Sequence, residues 1–249
     1  MAVEIDRIGR IFVVRLNRPD KRNAFDAAMT SGLDSALNEF EDDPELWVAV
    51  LTGEGRGFSA GTDLRSGSGE PTARGGDYGV ARRARRKPLI AAVEGFAYGG
   101  GMEIVLACDL VVAGREATFG LPESRRGVIA TCGGLFRTHR ALPLNIAKQL
   151  LLTGEPITAE RAYGLGFVNE ITDTGLALPA ALELAERICR NSPVSVQESL
   201  VALERVQAAD DEFAWQVTEQ ARANTLSSRD SAEGVRAFFE RREPVWTGR

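Results

Sequence analysis

The sequence holds a single histidine, His139, among 249 residues. That scarcity excludes multi-histidine metal sites and ties any Ser-His-Asp or Cys-His machinery to one position. His139 stands in GLFRTHRALP, flanked by arginines and away from any serine motif. Adjacent positive charge favours the neutral ring, and the residue reads as a surface or helix-end histidine. Cysteine is scarce as well. Cys108, Cys132 and Cys189 are odd in number and lack metal-site or redox-motif spacing, so they read as reduced thiols without a disulfide framework. No apolar run approaches the roughly 20 residues needed to cross a bilayer. The N-terminus has no charged segment followed by an apolar signal core, because strand-like alternation begins almost at once in VEIDRIGRIFVVRL. The expected location is the cytoplasm. Excess positive charge is missing too: a net charge of -5 gives no general reason to expect nucleic acid as a partner. Only the run Arg82, Arg83, Arg85, Arg86, Lys87 is locally basic, and a solvated helix face is its simplest explanation.

What is present is an ordinary globular composition, 44% hydrophobic and 26% charged, long enough for one sizeable core with a small appended element. Two β-rich runs joined through Ile8-Gly9-Arg10 predict a hairpin, closed off by Asn17-Arg18-Pro19-Asp20. Met29, Leu33, Ala36, Leu37 and Phe40 recur at helical spacing and predict a helix packed on one face. WVAVLTG (47–53), PLIAAVEG (88–95) and DLVVAG (109–114) are short continuous apolar runs ended by glycine, as in strands buried on both sides. Helical patterns lie between them, which makes the fold class α/β with right-handed crossovers. Beyond about residue 142 helices are predicted at 144–152, 158–164, 178–190, 193–207, 211–223 and 230–241, the last opening on the capping-box-like DSAE. Residues 66–79 carry five glycines and few apolar anchors. They are expected to form a mobile loop, either a linker or a lid beside a site.

Two glycine-bearing segments each follow a predicted buried strand: GFSAGTDL (57–64) and GFAYGGGME (95–103). In open α/β sheets ligands lie beyond the carboxyl ends of strands, so two such loops can face one crevice. Three glycines opening a helix suit a backbone that must come close to something, and the free N–H groups of a first helical turn suit an oxyanion. Gly100 is the predicted donor there, with tight helix-to-strand packing the alternative explanation. Glu103, three residues on, lies near the same helix end, where a carboxylate can equally serve as a cap. FGLPE then fixes a second carboxylate, Glu123, in a turn.

Taken together and in order, FSAGTDL, YGGGMEIVLACDL and FGLPESRRG resemble the enoyl-CoA hydratase/isomerase, or crotonase, superfamily. The similarity runs from LNRPDKRNAF through LLTGEPITAERAYGLGFVNEI to FFERREPVWTGR. It implies a crotonase-like spiral of ββα repeats over 1–190 and a helical region for oligomer formation or lid closure over 191–249, assembled as a homotrimer or a dimer of trimers. It implies an oxyanion hole built from the N–H groups of Ala60 and Gly100, and catalytic carboxylates at Glu103 and Glu123. Lys21, Arg22 and Ala24 are implied to meet the coenzyme A moiety, with Asp63 and Thr131 against the substrate and the run 82–87 as a further candidate for the phosphates. The partner is an acyl-CoA thioester; no metal or redox cofactor is required, since coenzyme A is part of the substrate.

The chemistry matches those groups. Adding water across an α,β-unsaturated thioester builds negative charge on the thioester oxygen, which two preorganised donors stabilise by several kcal/mol. One carboxylate takes a proton from water, assigned here to Glu103, and the other protonates the α-carbon, assigned to Glu123. The two form a coupled pair in which one carboxyl stays protonated. Ala130-Thr131 stands where many hydratases carry Pro-Gly, so water placement is expected to differ. An isomerase or a carnitinyl-CoA-type dehydratase on the same scaffold is the near rival, and retention of both glutamates favours hydration and dehydration. A non-catalytic acyl-CoA- or RNA-binding protein would instead work through the arginine run.

Overall fold

The computed structural model describes residues 1–208 and 210–248. Its N-terminal hairpin pairs β1 (Val3–Ile8) with β2 (Ile11–Leu16), and Gly9 takes the turn at a φ of 58°. Helix α1 (Ala27–Asp42) follows, capped by the Asp26 carboxylate, which accepts the Met29 N–H. Then come β3 (Val48–Gly53), β4 (Leu89–Val93), β5 (Phe96–Tyr98), α2 (Gly100–Leu106), β6 (Leu110–Gly114) and β7 (Thr118–Gly120). A 3-10 turn over Pro122–Arg126 leads to α3 (Gly134–Ala141), α4 (Leu144–Thr153), β8 (Ile157–Thr158), α5 (Ala159–Gly164) and β9 (Glu170–Thr172). The chain ends in α6 (Ala177–Cys189), α7 (Pro193–Ala208), α8 (Asp211–Leu226) and α9 (Arg229–Glu240).

Two sheets result. The larger has the order β1-β2-β3-β4-β6-β9 and is parallel apart from the edge strand β1. The smaller has the order β5-β7-β8. Strands β4 and β5, then β6 and β7, pass in turn from one sheet to the other before each helical segment, which is the ββα repeat. The apolar runs are continuous because alternate residues feed two cores. Ala49, Leu51, Ala91 and Val93 face the main core with α1 and the small sheet, whereas Val48, Val50, Ile90 and Ala92 face α6. Helix α6 presents Ala177, Ala181 and Ala185, one per turn and all fully buried, so its backbone lies close on the sheet. The main core joins large side chains such as Phe12, Phe25, Phe40 and Phe119.

The basic run departs from expectation. Arg83, Arg85 and Lys87 point inward, while Arg82 and Arg86 pair outward with Glu219 and Glu198. Arg83 meets Asp34 and Asn38. Arg85 forks onto Asp109 and donates to the Ala107 carbonyl at 2.8 Å, and the Lys87 ammonium donates to the carbonyls of Phe40 and Asp43 at 2.8 and 2.7 Å. Arg85 and Lys87 close the carbonyl ends of α2 and α1, where unpaired oxygens favour positive charge, and Arg83 is held against the middle of α1. They are therefore neither a solvated face nor a ligand surface.

Residues 66–79, expected to be mobile, are bound to α1. Thr30 donates to the Ser68 carbonyl at 2.6 Å, and Thr72 donates to Asp34 at 2.7 Å. Thr72 and Gly76 close a small loop of their own. His139 is exposed in the last turn of α3, as its surroundings suggest. The helix itself is not anticipated, since the glycines before it resemble a loop. No helix of the described residues is long and apolar enough to cross a membrane.

Candidate active site

The segment after β2 holds the site together from outside. Asn23, fully buried, donates to the carbonyls of Glu54 and Gly57 at 2.9 Å and accepts the Arg18 N–H. Its own carbonyl accepts the Ser59 hydroxyl at 2.8 Å, and Ser59 Oγ in turn accepts the Gly61 N–H at 3.1 Å. Ser59 also joins the second glycine loop, accepting the Tyr98 N–H at 3.0 Å. The two loops named from the sequence are thus fastened side by side beyond the ends of β3 and β5.

Their free donors differ from the expectation in one position. The Ala60 N–H donates to the Arg22 carbonyl at 3.0 Å, so it is committed to the fold and turned away from the crevice. Among the described residues the N–H groups of Thr62 and Gly100 have no protein acceptor. Gly61, at a φ of 86°, brings these two strands of backbone together: a Cβ on it would stand 2.7 Å from the Gly100 nitrogen. The N–H groups free to meet a ligand oxygen are therefore those of Thr62 and Gly100, whereas the Ala60 N–H, expected as a donor, is already bound to the Arg22 carbonyl.

Each glycine of the triplet has its own reason. Gly99 combines a φ of 55° with a ψ of -126°, a region essentially restricted to glycine. A Cβ on Gly100 would lie 2.3 Å from the Tyr78 hydroxyl oxygen, and one on Gly101 would lie 2.4 Å from the Ser59 carbonyl. Helix-to-strand packing therefore accounts for Gly101 alone, and close approach around the cavity accounts for Gly100.

The two carboxylates open into the same cavity. Glu103 Oε1 accepts the N–H groups of Cys132 and Gly134 at 2.7 and 2.9 Å. Burial lifts its pKa to about 7, against the pull of those two donors. Glu123 is carried by the 3-10 turn, and its Oε2 is buried with no hydrogen-bond partner. Burial first, and then the charge of Glu103, raise it to about 8. The carboxyl with the two donors is thus the easier one to ionise.

The cavity has a volume of about 710 Å³, within the range of small-molecule sites. Lys21, Arg22 and Ala24 line its mouth, and Thr131 lies inside, its N–H without a protein acceptor among the described residues. Asp63 also borders it, but its carboxylate accepts the Arg65 N–H and pairs with Arg18, which hold it below the usual range. Its part is to fix the loop. Sequence reasoning overlooks Tyr78, which sits in the low-complexity segment; Leu226, Phe238 and Phe239 of α8 and α9, in the region expected to close over the site or form an oligomer, also line the cavity. Helix α9 rests on the turn that bears Glu123: Arg126 lies over the Phe238 ring at 4.4 Å, and a Cβ on Gly234 would meet the Arg126 carbonyl at 2.1 Å. Among the described residues no three His, Cys, Asp or Glu side chains gather as a metal site.

The chain is similar to known proteins of one family over nearly its whole length. The family described as enoyl-CoA hydratase/isomerase matches residues 7–249. A mevalonyl-coenzyme A hydratase of Aspergillus fumigatus is 38% identical over 95% of this chain and 91% of its own length. A carnitinyl-CoA dehydratase of Salmonella agona is 37% identical over 100% and 99%. Among solved structures, a carnitinyl-CoA dehydratase from Mycobacterium avium superimposes with a TM-score of 0.94 at 44% identity, covering 100% of this chain and 99% of that one.

Proposed function

The chain belongs to the enoyl-CoA hydratase/isomerase family, and from that premise we propose that it adds water reversibly to a 2-enoyl-CoA thioester, as a hydro-lyase. The observation that carries this reading is the pair of buried carboxyls with unequal surroundings, Glu103 held by two N–H groups and Glu123 by none at Oε2.

The thioester oxygen takes the position between the Thr62 and Gly100 N–H groups, where the enolate charge develops in a water-poor site. Glu103, ionised, removes a proton from the attacking water as oxygen bonds to the β-carbon. Glu123, protonated, delivers its proton to the α-carbon. The pair begins and ends with one proton, moved from Glu123 to Glu103, and the same pair run backwards dehydrates a 3-hydroxyacyl-CoA. The Thr131 N–H, which has no protein acceptor among the described residues, is free to hold the water. Lys21, Arg22 and Ala24 at the mouth receive the coenzyme A moiety, and the scheme calls for no metal or redox cofactor. Substrates of the carnitinyl-CoA type are a second reading on the same machinery, favoured by the relatives that bear that name. The RNA-binding alternative loses its surface, because three of its five basic side chains are buried in ion pairs and carbonyl contacts.

Mixing the protein with crotonyl-CoA is expected to bleach the absorbance of the conjugated thioester. No change with crotonyl-CoA or longer enoyl-CoAs would overturn the reading. The pH dependence follows from the unequal pair. Hydration needs Glu103 ionised and Glu123 protonated, so kcat/KM should fall below about pH 7 and above about pH 8. A flat profile between pH 6 and 9 would contradict the division of roles.

Residues 1–190 are read as the catalytic core and 191–249 as cover and oligomer surface. Helix α7 has no buried residue, and Leu203, Val206, Phe213 and Val217 on α7 and α8 are exposed. Apolar exposure on that scale supports assembly as a trimer or a pair of trimers, which sedimentation would measure directly.

A further inference from the structure

The two free donors come from different parts of the chain. Gly100 opens α2, whereas Thr62 lies in the loop beyond β3, tied by an isolated bridge to Phe25. An oxyanion hole works only if both N–H groups point to one oxygen, about 2.7–3.1 Å from each. Phe25 clasps the backbone on either side of Thr62: its N–H donates to the Gly61 carbonyl and its carbonyl accepts the Asp63 N–H, both at 2.8 Å. The Thr62 hydroxyl is bonded to the Tyr78 hydroxyl at 2.7 Å. The same phenol stands against Gly100, where a Cβ would lie 2.3 Å from its oxygen and 2.5 Å from its Cζ. Tyr78 thus touches both donor residues at once. The Phe25 ring meets the tyrosine ring edge-on at 5.2 Å, so the residue that clasps Thr62 also props the side chain that spaces it from Gly100.

The place of Tyr78 is enforced. It is buried and sits at a φ of 55°, a left-handed conformation that a bulky residue avoids. Such strain persists only where the surroundings impose it, and it gathers at functional sites. Here Gly79, at a φ of 75°, lies so close on α1 that a Cβ would come within 2.7 Å of the Thr30 carbonyl oxygen and the Asp34 nitrogen. Thr72 bonds Asp34 on the same helix. The segment is thereby pressed onto α1 and delivers one phenol to the gap between the two donor loops. A phenylalanine would fill that gap equally well; the hydroxyl is what reaches Thr62.

We infer that Tyr78 is a positioning residue of the oxyanion hole: its hydroxyl holds the Thr62 and Gly100 N–H groups at the spacing at which both meet one thioester oxygen. It acts through those backbone groups and not on the reacting atoms. The inference rests on the hydratase reading for the identity of that oxygen. Misaimed donors lose more on the charged enolate than on the neutral thioester, so the effect belongs in kcat and not in KM.

Tyr78→Phe keeps the ring and its packing, and Thr62→Val keeps the shape and the backbone N–H of its position; each removes one end of the hydroxyl pair. Each is expected to lower kcat for crotonyl-CoA about tenfold, the size of one buried neutral hydrogen bond, with KM kept within about threefold. The double variant should lose no more than either single one, as for two residues that act through one bond. Butanoyl-CoA, which has no double bond to hydrate, reports on the hole directly. Isotope-edited infrared spectra of its thioester carbonyl should show the stretch lowered on binding, and lowered less in both variants. An unchanged carbonyl stretch in Tyr78→Phe overturns the inference, whatever the rate. So do losses confined to KM, additive losses, or a loss in Tyr78→Phe that Thr62→Val does not share, which would make the phenol itself a donor to the substrate. If the wild-type protein does not turn over crotonyl-CoA, the hydratase reading fails, and the carbonyl stretch alone then decides on Tyr78.

Discussion

Glu123→Gln is expected to lower the rate of enoyl-CoA hydration at least about a hundredfold, the lower range for a general acid-base group, with thioester binding kept within about threefold. The amide has the shape of the carboxyl but no proton to give to the α-carbon. Binding should survive because Oε2 makes no hydrogen bond that the substitution would break. The loss must therefore appear in kcat, with little change in KM. A variant with normal kcat and raised KM would instead assign Glu123 to binding and remove it from the proton path. Comparison with Glu103→Gln sharpens the point. There the side chain must also keep accepting from Cys132 and Gly134, so that substitution disturbs geometry as well as charge.

Gly61→Ala is expected to reduce kcat/KM by about a hundred- to a thousandfold, the cost of spoiling an oxyanion donor. A methyl at that position would stand 2.7 Å from the Gly100 nitrogen and 2.9 Å from the Tyr98 carbonyl, closer than real contacts allow. The two donors would have to separate, and neither could then aim at one oxygen. The φ of 86° adds backbone strain of its own. Gly67→Ala isolates that strain, because Gly67 has a φ of 69° and open space where its Cβ would be. It is expected to retain activity. Equal losses in the two alanine variants would attribute the effect to backbone strain and not to the donors.

The parts of this fold that were legible from sequence are those fixed by many residues acting alike. Strands β3 and β4 stand out because every position is buried, and the C-terminal helices because their apolar spacing repeats over several turns. Strands β5, β8 and β9 span two or three residues, too few for a period to register. In the site, the order of three motifs locates Glu103 and Glu123, since a side chain is named by its own residue. A backbone donor is harder. In an extended strand Ala60 and Thr62, two residues apart, would point alike, but Gly61 between them turns the chain at a φ of 86°, so FSAGTDL identifies the loop without saying which N–H is free. The Arg22 carbonyl takes the Ala60 N–H and leaves that of Thr62 free. The basic run misleads because Arg83, Arg85 and Lys87 alternate inward, toward partners on α1 and α2 that only the tertiary fold brings there. Tyr78 escapes notice because the glycines around it look like a linker, whereas they serve to bend the chain about one ring.

The unpartnered oxygen of Glu123 also makes folding a proton-consuming event. Both carboxyls are lifted from an ordinary 4.5 to about 7 and about 8, so between those values the native chain holds protons that the unfolded chain has released. The sign is opposite to that of a salt-bridged carboxylate. Whatever stability the pair allows is complete below about pH 4.5 and drains away as pH rises through 7 and 8. Alkaline buffer is therefore where the fold and its chemistry part company: the same deprotonation that removes the acid for the α-carbon leaves two charges confined in one cavity, and both are relieved by unfolding.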